Sequence, residues 1–390
     1  MAKKNYTCGI DIGTDTIKLV LSTIDPQTET VRVETIAQVP SVGVRRGYIV
    51  NVDEVANCIK KAVLLAQNTA GFKIHHCFTS ISGINLSSTT TIGQIITTRA
   101  DQEVTMLDIN RAIENAQENI DTNNHKIIQT IPLAFKLDNK EVHGRVEGMK
   151  GVKLEARVLS VVCLKQNIED LATSFELAGI ELLDILACVN ANTVSSVKQR
   201  TAGCAVVDIG AQTVSVAVYD NNLLISTHVF PIGSTDITRD IALGLKIDLE
   251  EAEKIKTGSI VSSDFSKKKV EEIINARLED IFEVVGNYLK KIKRNELLPG
   301  GIIIIGGGSR INTVSEIAKS QLKLPTRIGH TEEFINTHKF KLYDGLWYTA
   351  LGLSMQKLNT NQKHINFTSN KDLISKTKIF FKKILSELLP

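Results

Sequence analysis

The phrase Asp11-Ile12-Gly13-Thr14 near the start of the chain returns as Asp208-Ile209-Gly210-Ala211, each time with apolar residues before it and a β-branched run after it. One such phrase reads as an ordinary hairpin turn. Two of them read as a strand–hairpin–strand unit built twice. A third glycine turn, Gly306-Gly307-Gly308, follows the apolar strand Ile302 to Ile305. Glycine has no Cβ, so its backbone N–H groups approach an anion closely and positive φ carries no steric cost. Together the three turns imply a nucleotide clamped between two lobes.

A carboxylate at a strand end can orient the water shell of Mg2+, which keeps several waters and takes one or two carboxylates besides phosphate oxygens. Asp11 and Asp208 are the candidates for magnesium and for the attacking water. Lys18, on the strand leaving the first turn, has two readings: a compact ammonium reaching the phosphates, or a solvated strand lysine. The chain has no Gly-x-x-x-x-Gly-Lys-Ser/Thr loop, and no Gly-x-Gly-x-x-Gly opens a helix after the first strand. P-loop and Rossmann sites are therefore disfavoured.

At 390 residues the chain exceeds what one core usually supports, and its aromatic content is only 5%. Aliphatic residues instead suit a Val/Ile-rich, partly parallel sheet covered by helices. The six cysteines, Cys8, Cys58, Cys77, Cys163, Cys188 and Cys204, are scattered in apolar stretches and read as buried, reduced thiols. The histidines show no metal-ligand spacing, and adjacent His75 and His76 would face opposite sides of a strand. No signal-peptide core is evident and no apolar run approaches the roughly 18 residues that span a bilayer. The expectation is an intracellular protein.

Net charge is +3, too small to argue for nucleic acid. All of that excess lies in Lys371 to Pro390, where five lysines face Asp372 and Glu387. In this tail Leu373, Ile374, Phe381, Ile384, Leu385 and Leu388 form one helical stripe, flanked by Phe380 and Leu389. Lys382 and Lys383 fall elsewhere, and Ile379 breaks the pattern. A polar tether containing Asn359, Asn361, Asn366 and Asn370 precedes it. Two readings stand: a helix packed on its own domain, or a cationic amphipathic anchor on a membrane surface, which the tether and charge favour.

Between these ends, the periodicity gives a helix after Asn51 or Asp53 with apolar positions Val55, Ile59, Val63 and Leu64, and a strand from Cys77 to Ile81. From Asn85 a Thr-rich alternation, a helix from Leu107 and strands near Lys126 to Leu137 and Val152 to Leu164 read as an inserted α+β subdomain. Helices dominate from Thr235 to Leu298.

The residues at this point resemble the actin-like ATPase superfamily and, within it, the FtsA family of bacterial cell-division proteins. Most specific are Ser80-Ile-Ser-Gly83, the run Ile127 to Leu137 with Ile131-Pro132, and Gly148 to Arg157. The resemblance implies an α/β, duplicated two-lobed actin-like (ribonuclease H-like) fold with an inserted α+β subdomain and a C-terminal amphipathic helix. It implies lobe 1A at 1–83 and 162–200, subdomain 1C at 84–161, lobe 2A at 201–227 and 301–357, helical subdomain 2B at 228–300, a linker at 358–372 and a membrane helix at 373–390.

By the same similarity ATP with Mg2+ would meet Gly13, Thr14 and Lys18 in the first phosphate loop, and Asp208, Gly210 and Thr213 in the second. Gly306, Gly307, Gly308 and Ser309 match the adenosine loop, with Glu253 and Lys256 on a nearby helix; spacing alone leaves these two as a solvated face. The connecting segment Cys188 to Ser195, with Asn190 and Asn192, lacks the Gln or Glu that many relatives use to orient water, so at most weak ATPase activity is expected.

Implied partners are the FtsZ C-terminal peptide, other copies of the chain in a filament, anionic membrane lipid and other division proteins. The implied place is the cytoplasmic face of the cell membrane. Arg277 resembles a contact for the peptide, and otherwise reads as a surface arginine paired with Glu272 or Asp280. A related pilus-assembly scaffold would share the fold but bind a different peptide, and the tail argues against it. A superfamily kinase would need a catalytic base, and an Hsp70-type chaperone a substrate domain; neither is expected here.

Overall fold

The computed structural model describes residues 6–25, 30–187, 193–259, 266–330, 335–336 and 345–356. The tail residues Phe380, Phe381, Lys382, Lys383, Ile384, Leu385 and Leu388, the tether before them, and Cys188, Asn190 and Asn192 lie outside the described residues.

The chain begins with strands β1 (Thr7–Ile12), β2 (Thr16–Ile24), β3 (Val31–Pro40), β4 (Val44–Arg45) and β5 (Tyr48–Ile49), helix α1 (Val52–Ala70) and β6 (His76–Ile81). There follow β7 (Ser87–Ile96), α2 (Met106–Glu118), β8 (His125–Leu137), β9 (Lys140–Val142), β10 (Lys153–Leu164), α3 (Lys165–Ala178) and β11 (Glu181–Ala187). The second half holds α4 (Val197–Ala202), β12 (Cys204–Ile209), β13 (Val214–Asp220), β14 (Leu223–Phe230), α5 (Ser234–Leu245), α6 (Leu249–Lys256) and α7 (Lys267–Lys291). It closes with β15 (Gly301–Ile305), α8 (Val314–Leu322), β16 (Thr326–Ile328), β17 (Ile335–Asn336) and α9 (Tyr348–Ser354).

The described residues form two compact units, one built from the chain up to Leu86 and again from Asn167, the other from Ser87–Gln166. Within the first unit one topology is built twice. Strands lie in the order β11-β6-β1-β2-β3, and again in the order β16-β15-β12-β13-β14. Each first strand is antiparallel to its hairpin partner and parallel to the neighbour on its other side. Both first strands are buried at every position except the aspartate one residue from the end. Such continuous burial is what a sheet covered on both faces imposes.

Helix α1 covers the first of these sheets. Asn51 caps it by accepting the Glu54 N–H, and it ends at Gly71, whose φ of 77° is a left-handed stop. Its buried stripe is Val55, Cys58, Ile59, Ala62, Val63 and Ala66. Leu64, expected on this stripe, is 58% exposed, because one residue beyond Val63 turns the side chain about 100° round the axis. All five described cysteines are buried.

The second unit packs α2 on the antiparallel strands β7, β10, β8 and β9. A Cβ at Gly93 would run into the backbone of Ala112 and Ala116, so glycine there lets the helix lie directly on the strand. Thr105 and Asp108 form a capping box. Burial works to raise the Asp108 pKa, but hydrogen bonds from Thr105 and Thr98 outweigh it and hold the carboxyl below its ordinary value. The β8–β10 register slips where Pro132 faces Val158, since proline has no N–H to give the ladder. Among the described residues no helix is long and apolar enough to cross a membrane.

Candidate functional site

A cavity of about 850 Å³ in the first unit is walled by the β1–β2 turn, the β12–β13 turn, the glycine turn after β15, α6 and the first turns of α7. The two hairpin turns close alike. Gly13 donates its N–H to the Thr16 carbonyl at 3.2 Å and Gly210 donates to the Thr213 carbonyl at 2.9 Å. A Cβ at Gly13 would stand 2.7 Å from the Thr16 oxygen, and one at Gly210 3.0 Å from the Thr213 oxygen. Glycine therefore lets each turn close tightly.

In the second hairpin the Gly210 and Ala211 carbonyls accept the N–H groups of Ser234 and Thr235 at 2.9 and 2.8 Å. Peptide units are planar and trans, so the N–H groups of Ala211 and Gln212 point away from α5. Gly210 and Ala211 line the cavity.

The triple glycine has a reason the sequence did not reveal. Gly306 has φ 83°, and a Cβ there would strike the Asp208 carboxylate. One at Gly308 would strike the Ile209 side chain, whereas Gly307 would meet only Leu346 at 3.5 Å. These glycines dock the third turn onto the second hairpin. Ser309 is buried and does not line the cavity; its hydroxyl donates to the Gly306 carbonyl at 2.7 Å.

Register puts Lys18 opposite Asp11 and Ser215 opposite Asp208. The Lys18 side chain is 9% exposed, with Nζ 3.8 Å from Asp11 Oδ2, so the solvated reading is overturned. Asp11 Oδ1 accepts the Ser80 hydroxyl at 3.0 Å. Asp208 opens to the cavity but lies deep beneath the surface. Burial first, and the Asp11 charge second, push its pKa up to about 6, against the Lys18 charge and the Thr349 hydroxyl at 3.3 Å.

Two carboxylates that repel each other across a cavity, with one lysine near, are a donor set suited to a hydrated divalent cation. Among the described residues no cluster of three or more His, Cys, Asp or Glu is assembled to hold a metal. Remaining ligands would come from water and phosphate.

At the far end Lys256 Nζ lies 2.7 Å from Glu253 Oε2, 2.9 Å from the Thr238 hydroxyl and 3.2 Å from the Ser234 carbonyl. Thr238 in turn donates to Glu253 at 2.6 Å. The Lys256 side chain is only 8% exposed, which overturns the solvated-face reading for it, while Glu253 is half exposed. Val270, Ile274 and Ile311 add an apolar wall that the sequence did not single out. A helical run here was visible, but not that the first turns of α7 overhang a cavity. Thr349, also in the lining, had no local signal, and Ser82 stood out only as part of the Ser80 to Gly83 motif.

Arg277 is not in the cavity lining. It grips Asp240 of α5 through two hydrogen bonds, at 2.6 and 3.0 Å, and lies 3.0 Å from Asp280. Of its sequence-local partners, Asp280 holds it and Glu272 pairs with Lys268 instead.

A family model described as "Cell division protein FtsA" matches residues 205–346, and one described as "SHS2 domain inserted in FTSA" matches residues 83–162. Cell division protein FtsA of Pseudomonas aeruginosa is 29% identical over 346 residues, 82% of this chain and 82% of its own length. That of Bacillus subtilis is 28% identical over 342 residues, 82% of this chain and 77% of its own. Among solved structures, the PilM-PilN type IV pilus biogenesis complex shares the fold, with TM-score 0.67 and 17% identity over 90% of this chain and 98% of the other. The inserted unit falls on the second family model, and the second hairpin and triple glycine fall on the first. With an actin-like fold and that insertion, the chain is similar over most of its length to the FtsA family of cell-division proteins.

Proposed function

We propose that this chain is an ATP-binding actin-like adaptor that polymerises on the cytoplasmic face of the membrane and tethers FtsZ filaments there during cell division. The observation that carries the nucleotide part is the cavity, where Asp11 and Lys18 of one hairpin, Asp208 of the other and the glycine turn converge. ATP would lay its phosphates between Gly13-Thr14 and Gly210 to Thr213, with Lys18 as counter-charge. The adenosine would lie between Gly306 to Gly308 and the Glu253–Lys256 pair of α6. Ser309 would act through the Gly306 carbonyl rather than by contact.

Mg2+ would be held by Asp11 and Asp208 through water, and when bound would neutralise phosphate charge. Hydrolysis is expected to be slow. No described side chain has been assigned to place an attacking water beyond these two carboxylates, and positioning is the larger part of phosphoryl-transfer catalysis.

The subdomains are assigned as 1A at 1–83 and 162–200, 1C at 84–161, 2A at 201–227 and 301–357, and 2B at 228–300, with the linker at 358–372 and the membrane helix at 373–390. In 2B, Arg277, whose side chain is 29% exposed, is the candidate contact for the FtsZ peptide. The tail, with Phe381 and Leu385 on its apolar stripe, supports reversible binding to anionic lipid as a single helix and strong binding from a polymer. The pilus scaffold remains the second reading because its fold is shared. Titrating the purified chain against an FtsZ C-terminal peptide and a pilus-scaffold peptide separates the two. Binding to the second alone would overturn the division role, and vesicle binding that survives removal of residues 371–390 would overturn the anchor.

A further inference from the structure

The short β4–β5 hairpin has no part in the site described above, yet its tip is tied to both phosphate turns. Arg46 donates its N–H to Gln212 Oε1 at 2.9 Å, and Gly47 donates its N–H to the Thr14 hydroxyl at 3.3 Å. Gln212 belongs to the second hairpin and Thr14 to the first. Thr14 lines the cavity, while Arg46 and Gln212 stand outside its lining, on the rim.

The tip is shaped for this position. Arg46 and Gly47 hold φ of 50° and 77°, which turns two successive N–H groups outward from the hairpin. A Cβ at Gly47 would meet Gly83 at 2.6 Å, so the tip lies flush on the end of β6 beside Ser82, another lining residue. The hairpin base is fixed as well. Ser41 donates to the Asp15 carbonyl at 2.9 Å, and Val50 and Asn51 donate to the Gly43 carbonyl at 2.8 and 3.2 Å. A tip anchored to the first lobe and held by a side chain of the second can resist their separation.

We infer that Gln212 latches the β4–β5 tip across the rim, joining the two phosphate turns so that a bound nucleoside triphosphate is released only when the latch opens. This deepens the nucleotide reading and rests on it. Thr14 is a positioning residue in the same device: with its oxygen accepting from Gly47, its hydroxyl proton is left to donate into the cavity.

The full chain tests the latch in two steps. Amide hydrogen exchange without nucleotide reads the hydrogen bond itself. The Arg46 amide should exchange several-fold faster in Gln212→Met, which keeps the side-chain length but loses the acceptor, and at the wild-type rate in Gln212→Glu, which keeps an acceptor. Unchanged Arg46 exchange in Gln212→Met would overturn the latch. Release of a fluorescent ATP analogue reads the coupling. It should be about two- to tenfold faster in Gln212→Met, the range one neutral hydrogen bond supplies, with the unfolding midpoint unmoved. Faster amide exchange without faster release would overturn the coupling. A wild-type chain that binds no analogue would overturn the nucleotide reading and the coupling with it, while the amide exchange still decides the hydrogen bond.

Discussion

The two hairpins share a turn, a burial pattern and a parallel neighbour, but not their charge. The first answers Asp11 with Lys18 across the ladder and with the Ser80 hydroxyl. The second answers Asp208 with Ser215 across the ladder, and the Thr349 hydroxyl hydrogen-bonds its carboxylate at 3.3 Å. One copy of the duplicated unit thus carries a balanced carboxylate and the other an under-compensated one pushed up to about 6. A duplicated backbone fixes where the two groups sit, and single side chains divide their roles.

The largest effect tests how the second hairpin is held. Gly308→Ala drives a methyl into Ile209, and Gly306→Ala adds a strained positive φ and a clash with Asp208. Each should lower unfolding free energy by about 2–4 kcal/mol in denaturant titration, whereas Gly307→Ala should change it by less than about 1 kcal/mol. Equal losses at all three positions would remove the docking role of these glycines.

Next, the two aspartates should respond in opposite directions to the same substitution. The folded pKa of Asp208 lies above its ordinary 3.8, so its proton stabilises the fold fully below that value and the contribution is lost as pH rises through about 6. Charged Asp208 therefore costs on the order of 2 kcal/mol at pH 7 in the metal-free chain. Asp208→Asn should raise the melting temperature at pH 7, with the gain vanishing towards pH 4. Asp11→Asn, which weakens the Lys18 and Ser80 interactions, should destabilise by about 1–2 kcal/mol. Parallel melting curves for both variants would break the contrast.

The smallest effect lies outside the hairpins. Arg277→Lys cannot keep two hydrogen bonds on Asp240 and should cost about 1 kcal/mol in the same titration, with α7 otherwise intact. No change would mean the pair contributes nothing to α5–α7 packing.

Much of this was legible from local chemistry. The Asp-x-Gly turns and the Asn51 cap of α1 each depend on a few neighbouring residues, and they stand where the sequence put them. The inserted α+β unit was legible for the same reason, since its strand alternation and helix spacing are short-range patterns. What stayed hidden depends on contacts between distant segments. Spacing could not show that Lys18 is buried opposite Asp11, that Gly306 and Gly308 are glycines because Asp208 and Ile209 press on them, or that Arg277 reaches past its own helix to Asp240. Leu64 shows the limit of periodicity itself: apolar neighbours on a helix cannot all share its buried stripe.

Calorimetric titration of Mg-ATP into the full chain, beside Lys18→Ala, tests most directly whether the two hairpins together hold a nucleotide. A shared clamp requires saturable binding that depends on magnesium and weakens at least about tenfold when the Lys18 ammonium is removed. Equal affinity in both proteins, or no binding to the wild-type chain, would contradict it.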